Sequence, residues 1–405
     1  MSNRLPAASS YDIESGQSSI LPPTISDVIT KTAPFTRGTP TGAWKQGSDP
    51  GYRQFCSLGE FPLESGAVIP HTVIAYETWG ELNDDASNAV LFLHALTGDS
   101  HVAPHDVDDE PGWWADIVGP GKVIDPSMYF VVAMNMLGGC QGSTGPSTQA
   151  PDGKPWGGRF PWITTRDAVR AEEAVARQLG IRQFACVIGA SLGGHRALEW
   201  ALMFPDMVRS LIVVASGPAT TADQMAWCHI QEQAISNDPY FFEGNYYDHP
   251  VGPVRGLGLA RSLAHTTYRS AQELDCRFAR QEQTGEDPTV SGRFEVESYL
   301  DYHASKLVAR FDANTYLLVT HSMLLHDVGQ GRGGVESALA LISCPTLVIS
   351  VDSDRLFLPH HTQAMAQNIP QAELRHITTP YGHDGFLIEV DQVASFMGPF
   401  LRQHT

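Results

Sequence analysis

Short apolar runs punctuate the chain from residue 72 onward. Thr72–Tyr76, Ala89–Leu93, Tyr129–Met134, Phe184–Ile188, Leu211–Ala215, Thr346–Val351 and Leu374–Ile377 each read as a strand. Most of these runs are continuous, not alternating, which marks strands covered on both faces. Arg166–Leu179 has a different period: Val169, Ala176 and Leu179 recur at helical spacing, with Thr164 or Thr165 placed to cap the start and Gly180 the end. Strand and helix in alternation predict a mainly parallel sheet wrapped by helices, an α/β fold. Residues 1–45, rich in Ser, Thr, Pro and Gly and without a period, read as a mobile tail. Between residues 218 and 335 the strand signal stops, and helix-like pieces such as Ser298–Phe311 replace it. That stretch predicts a helical cap inserted over one edge of the sheet, leaving 46–217 and 336–405 as the core.

Composition narrows the class of partner. The 405 residues carry a net charge of −19 and no run rich in Lys or Arg, which argues against nucleic acid. The six cysteines lie far apart with no C-x-x-C and read as reduced thiols, not as a disulfide framework. The start lacks a basic segment followed by an apolar one, and no apolar run is long enough to span a bilayer. The expectation is a cytoplasmic enzyme with no membrane contact.

Candidate chemistry begins at "VIGASLGGHRALEW", 187–200, where Gly189-Ala190-Ser191-Leu192-Gly193 fits G-x-S-x-G. As a bare pattern this is a small-residue turn that happens to contain serine. Between an apolar strand and a helix-period segment (Ala197, Leu198, Ala201, Leu202) it reads as a nucleophile elbow presenting Ser191. A serine needs a base, and in such sheets the order is serine, acid, histidine. Asp352 and Asp354 follow the strand Thr346–Val351, and His383 sits in the glycine-flanked "TPYGHDGF" after the last strand. Both acids follow the same strand an even step apart, so alternation does not choose between them. Two backbone N–H groups should face the developing oxyanion: that of Leu192, and that of Leu96 in "LFLHALTGDS". His94 reads as a packing or orienting residue of that loop. His101 and His105 are four apart, but Pro104 breaks helical metal-ligand spacing, there is no H-E-x-x-H, and no metal is expected. "LGGCQGSTGP" lacks the ending of a phosphate-binding loop, and its Cys140 reads as structural.

These segments together resemble the homoserine O-acetyltransferases, acyltransferases with the α/β-hydrolase fold. "HALTGDSHVA", "GWWADIVGPGKVID", "NMLGGCQGSTGP", "GASLGGHRALEWA", "FEVESYLDYHASKLVARFDANTY", "HDVGQGRGG", "DSDRLF" and "YGHDGF" carry the resemblance, from about Tyr52 to the end. It implies an acetyl group passed from acetyl-CoA to Ser191 and then to the γ-hydroxyl of homoserine, a ping-pong path serving methionine biosynthesis. It selects Asp354 as the acid and His383 as the base. It places the homoserine carboxylate on Arg261, with Tyr268 as helper, and its ammonium on Asp384. It implies no cofactor beyond the acetyl-CoA co-substrate, and a homodimer formed through the cap. Ala190 and Leu192 replace a glycine and a methionine of the usual elbow, and His195 and His321-Ser322 also depart from the pattern.

The fold alone also permits an esterase. A succinyl donor, or serine as acceptor, would be closer relatives of the same chemistry. A non-catalytic binding protein would not need nucleophile, acid and base in this order. Arg261 and Asp384 favour a zwitterionic acceptor, which requires one cation and one anion in its site.

Overall fold

The computed structural model describes residues 39–405; residues 1–38, most of the expected tail, lie outside the described residues. The strands are β1 (Gln54–Pro62), β2 (Val68–Trp79), β3 (Ala89–Leu93), β4 (Phe130–Met134), β5 (Phe184–Ala190), β6 (Leu211–Val214), β7 (Thr346–Val351) and β8 (Ala372–Ile377). They form one eight-stranded sheet in the order β1-β2-β4-β3-β5-β6-β7-β8. The β1–β2 and β2–β4 pairs are antiparallel, and every pair from β4 to β8 is parallel.

Burial on both sides explains the continuous apolar runs. Leu91, Leu93, Val132, Met134, Val187, Val213 and Val348 face one core, with α1 (Thr165–Gln178) and α2 (Leu192–Met203) packed over them. Their sequence neighbours Val90, Phe92, Val131, Ala133, Cys186, Ile188, Ile212, Val214, Leu347 and Ile349 face the other. That second face is covered by Trp114, Phe386 and α11 (Val390–His404). Helix α1 begins at Thr164, whose hydroxyl accepts from Asp167 N while the Asp167 carboxylate accepts from Thr164 N, and Gly180 follows its end at φ 78°.

Between β6 and β7 the chain builds α3 (Ala222–Ser236), α4 (Val254–Tyr268), α5 (Ala271–Phe278), α6 (Glu295–Arg310), α7 (Ala313–Leu324) and the short α8 (Val335–Leu339). Helix α4 packs against both α3 and α6. After β7 come α9 (Pro359–Asn368) and, past β8, the single turn α10 (Gly385–Ile388). Residues 39–45, assigned from sequence to the tail, are instead held to the body. Gly42 N donates to Phe311 O, Trp44 N donates to Cys140 O, and Thr41 Oγ1 donates to the buried Asp312 carboxylate at 2.7 Å. Strand β1 has no counterpart in the sequence reading. It is an edge strand with mixed burial and a register shift at Gly59, so it lacks an apolar run.

Candidate active site

Ser191 occupies the corner between β5 and α2 at φ 55° and ψ −123°, a left-handed backbone that costs a non-glycine residue about 1–3 kcal/mol. Its neighbours permit the corner. A Cβ on Gly189 would lie 2.0 Å from the Gly193 carbonyl oxygen, and one on Gly193 1.9 Å from that of Leu93. The turn is pinned by Ser191 N donating to Val214 O (2.9 Å), and by Gly194 N and Ser216 Oγ donating to Ser191 O (both 2.8 Å).

The turn after β8 brings His383 to the serine, with Nε2 3.0 Å from Ser191 Oγ and Nδ1 2.7 Å from Asp354 Oδ2. An Nδ1–H donated to the carboxylate leaves the Nε2 lone pair for the serine proton. The second oxygen of buried Asp354 accepts from Leu356 N (2.8 Å) and Phe357 N (2.9 Å), which fixes the carboxylate. Asp352 is exposed, and its carboxylate accepts from Thr379 N instead. Geometry therefore separates two acids that alternation left equal. Burial disfavours the charged imidazole of His383, but the adjacent and hydrogen-bonded Asp354 carboxylate, with Asp384, outweighs it and raises the pKa.

Leu192 is the first residue of α2, where backbone N–H groups have no intrahelical acceptor. Leu96 is buried in the turn after β3. That turn is clamped. Arg196 on α2, fully buried, donates through Nη1 to Glu172 (2.5 Å) and through Nη2 to His94 O (2.6 Å), while Trp200 Nε1 donates to the other Glu172 oxygen. The His94 ring donates from Nδ1 to Ala95 O and accepts at Nε2 from Met136 N. Burial, with Arg196 nearby, lowers its pKa to about 3. His94 thus orients the loop as a neutral ring.

Arg261 on α4 reaches toward this turn, with Nη1 3.4 Å from Thr97 Oγ1 and its guanidinium 5.4 Å from the Tyr268 ring centre. Its Nε is buried and unpaired, and no carboxylate forms an ion pair with it among the described residues. Tyr268, one end of α4, lies 5.8 Å from the His383 ring. Asp384 adjoins the base, but Arg269, which sequence reasoning missed, already stands 3.1 Å from it. Its place directly after Tyr268 was the available signal. His195 is fully buried, stacked on His326 at 3.9 Å and edge-on to Phe357, which in turn stacks on His383. Cys140 is buried with its thiol pKa raised by desolvation. Its loop is tied to the β2 backbone, with Thr144 N donating to Val73 O and the Thr144 and Ser143 hydroxyls accepting from Val73 N and Ala75 N.

Known proteins resemble this chain in sequence and in fold. The family described as alpha/beta hydrolase fold matches residues 88–390. A homoserine O-acetyltransferase of Thermobifida fusca is 54% identical over 90% of this chain and 97% of its own. One from Mycobacterium tuberculosis is 45% identical over 94% of this chain and 96% of its own. Among solved structures, homoserine O-acetyltransferase from Bacillus anthracis superposes with TM-score 0.80 at 27% identity, covering 86% of this chain and 97% of that one. Esterase E22 superposes almost as well, with TM-score 0.79 at 27% identity over 86% of this chain and 99% of that one.

Proposed function

The chain belongs to the homoserine O-acetyltransferase family, and from that premise we propose that acetyl transfer to homoserine draws on acetyl-CoA and passes through an acetyl ester on Ser191. The observation that carries this reading is the continuous chain of hydrogen bonds from Asp354 through His383 to Ser191. His383 Nε2 takes the hydroxyl proton as Ser191 Oγ attacks the thioester carbonyl. The oxyanion is held by the N–H groups of Leu96 and Leu192. The tetrahedral adduct collapses as the C–S bond breaks, and His383 returns the proton to the CoA sulfur. Homoserine then enters, its γ-hydroxyl gives its proton to His383, and the new ester forms as Ser191 Oγ leaves and is reprotonated. The steps balance with these side chains alone, so the reaction needs no cofactor beyond the acetyl-CoA co-substrate.

Arg261, a half-buried cation without an acidic partner among the described residues, suits the homoserine carboxylate, and Tyr268 lies beside it. Asp384 suits the ammonium, which would share that carboxylate with Arg269. An esterase reading is favoured by the likeness to E22 but leaves unpaired Arg261 without a task. A reaction that draws on acetyl-CoA and homoserine fits a cytoplasmic enzyme. Among the described residues no helix is long and apolar enough to cross a membrane. Exposed Met225 and Ile230 on α3, Leu259 on α4 and Tyr302 on α6 support a homodimer formed through the inserted helices. The experiment is to incubate the purified chain with acetyl-CoA or succinyl-CoA and with homoserine, serine or water. CoA release and product mass should show O-acetylhomoserine as the dominant product. Dominant succinyl transfer, serine acetylation or bare hydrolysis would each replace this reading.

A further inference from the structure

Beyond the catalytic residues, the loop between β3 and β4 returns to strand β2. There His101 and His105, whose helical spacing Pro104 breaks, meet Glu77 of β2. The carboxylate of Glu77 and the rings of His101 and His105 bring their ligating atoms within 4.8 Å of one another. Glu77 Oε2 lies 2.8 Å from His101 Nδ1 and 3.7 Å from His105 Nδ1, and His105 Nδ1 lies 3.2 Å from Asp109 Oδ2. We propose that Glu77, His101 and His105 form a binding site for a divalent transition metal of zinc type, with Asp109 beside His105 as a supporting carboxylate.

The lone pairs argue for a cation. His101 Nε2 is 2.7 Å from Glu110 O. A carbonyl only accepts, so Nε2 carries hydrogen. With that hydrogen placed, the 2.8 Å contact of Nδ1 with the Glu77 carboxylate is bridged by a positive charge, either the proton of an imidazolium or a cation held by the Nδ1 lone pair and the carboxylate together. The observed separations bracket the edge of a tetrahedron built on metal–ligand bonds of about 2.0–2.2 Å, which is about 3.3–3.6 Å. Two imidazoles with one carboxylate form a donor set that suits zinc, with the fourth position left to water.

The supporting contacts have the form expected around metal ligands, where a ligating histidine donates its other ring N–H to a carbonyl and a ligating carboxylate is hydrogen-bonded. Glu110 O serves His101, and Ser100 Oγ donates to the other oxygen of Glu77 at 2.6 Å. His105 N donates to Asp109 Oδ2 at 2.8 Å. The His105 ring is held between Tyr52 (4.2 Å) and Trp79 (4.5 Å). Glu77 is buried while both rings are partly exposed. A cavity of about 250 Å³ lined by Arg53, Asp99, His101 and Asp109 gives an ion a way in.

A proton competes for the place. A ligating ring nitrogen must be free of its proton, so the metal binds more tightly as pH rises. Through Ser100, which also bonds Asn135, the ion would fasten the 99–110 loop to β2 close to the turn carrying Leu96. Its role is structural and separate from acetyl transfer.

The test uses the full chain without a tag, stripped by chelator and titrated with Zn²⁺ alone at pH 8 by calorimetry and metal analysis, with Co²⁺ absorption reporting the coordination geometry. The expected result is about one ion per chain, a tetrahedral Co²⁺ spectrum, and a Tm raised by Zn²⁺. His105→Gln should weaken binding by more than about tenfold, and Asp109→Asn by a smaller factor. The Asp109→Asn variant keeps the test decisive if His105→Gln does not fold. No saturable binding, or equal affinity in the wild type and the folded variants, overturns the site.

Discussion

The Arg196 guanidinium on α2 donates to the carbonyl oxygen of His94 at 2.6 Å, so the helix that begins at Leu192, one proposed oxyanion donor, also grips the turn that carries Leu96, the other. A second arm of the same guanidinium is held by Glu172, and all of this is fully buried. Lysine presents one compact charge and cannot span both acceptors.

Arg196→Lys should therefore keep the charge opposite Glu172 and lose the hold on His94. Because a misplacement of about 1 Å can cost about 100-fold in rate, kcat per titrated active site should fall by about 10- to 100-fold. Donor KM should change far less. Burst titration with p-nitrophenyl acetate counts intact sites, so a loss of folded enzyme is separated from a loss of rate. Unchanged kcat per site would remove Arg196 from the positioning of the oxyanion turn.

Asp354→Asn and Asp352→Asn form a matched pair. The first places an amide against His383 Nδ1, favours the wrong tautomer, and should lower kcat by about 10³–10⁴-fold with little change in Tm. The second alters an exposed carboxylate bonded to Thr379 N and should stay within about tenfold. Circular dichroism and steady-state kinetics on both proteins decide the matter. The opposite ranking in two folded variants would move the acid to Asp352.

The pH dependence follows from His383. Transfer requires its neutral form, and its net pKa is raised, burial being outweighed by Asp354 and Asp384. A raised pKa keeps the ring protonated to higher pH. The kcat/KM of the free enzyme should thus rise with pH through a midpoint above the ordinary histidine value and then level off. In Asp354→Asn the midpoint of the residual activity should move down. A wild-type midpoint below that of ordinary histidine would contradict the balance of burial and charge described for this ring.

Strands and elbow were readable in the sequence because their physics is local or two-sided. β5 and β7 are buried on both faces, so nearly every residue is apolar, Thr346 and Ser350 of β7 excepted, and the elbow needs small residues at positions fixed by backbone contact. β1 was not readable, since an edge strand alternates and Gly59 interrupts its register. The choice of Asp354 lay beyond strand alternation because β7 ends at Val351. What decides it is the turn that follows, where Leu356 N and Phe357 N orient one carboxylate. The pairing of Asp384 with Arg269, and the approach of Glu77 to His101 and His105, join residues from different elements and leave no local pattern.

The central claim is that Ser191 carries the acetyl group, and rapid quench with mass spectrometry tests it most directly. Mixed briefly with acetyl-CoA and no acceptor, the enzyme should gain one acetyl mass on the peptide containing Ser191. Homoserine added next should discharge it as O-acetylhomoserine at a rate matching turnover. Ser191→Ala should show neither the label nor transfer, with activity lower by about 10³-fold or more. A wild-type enzyme that turns over at full rate while Ser191 stays unmodified would contradict the account and require direct transfer between the two substrates.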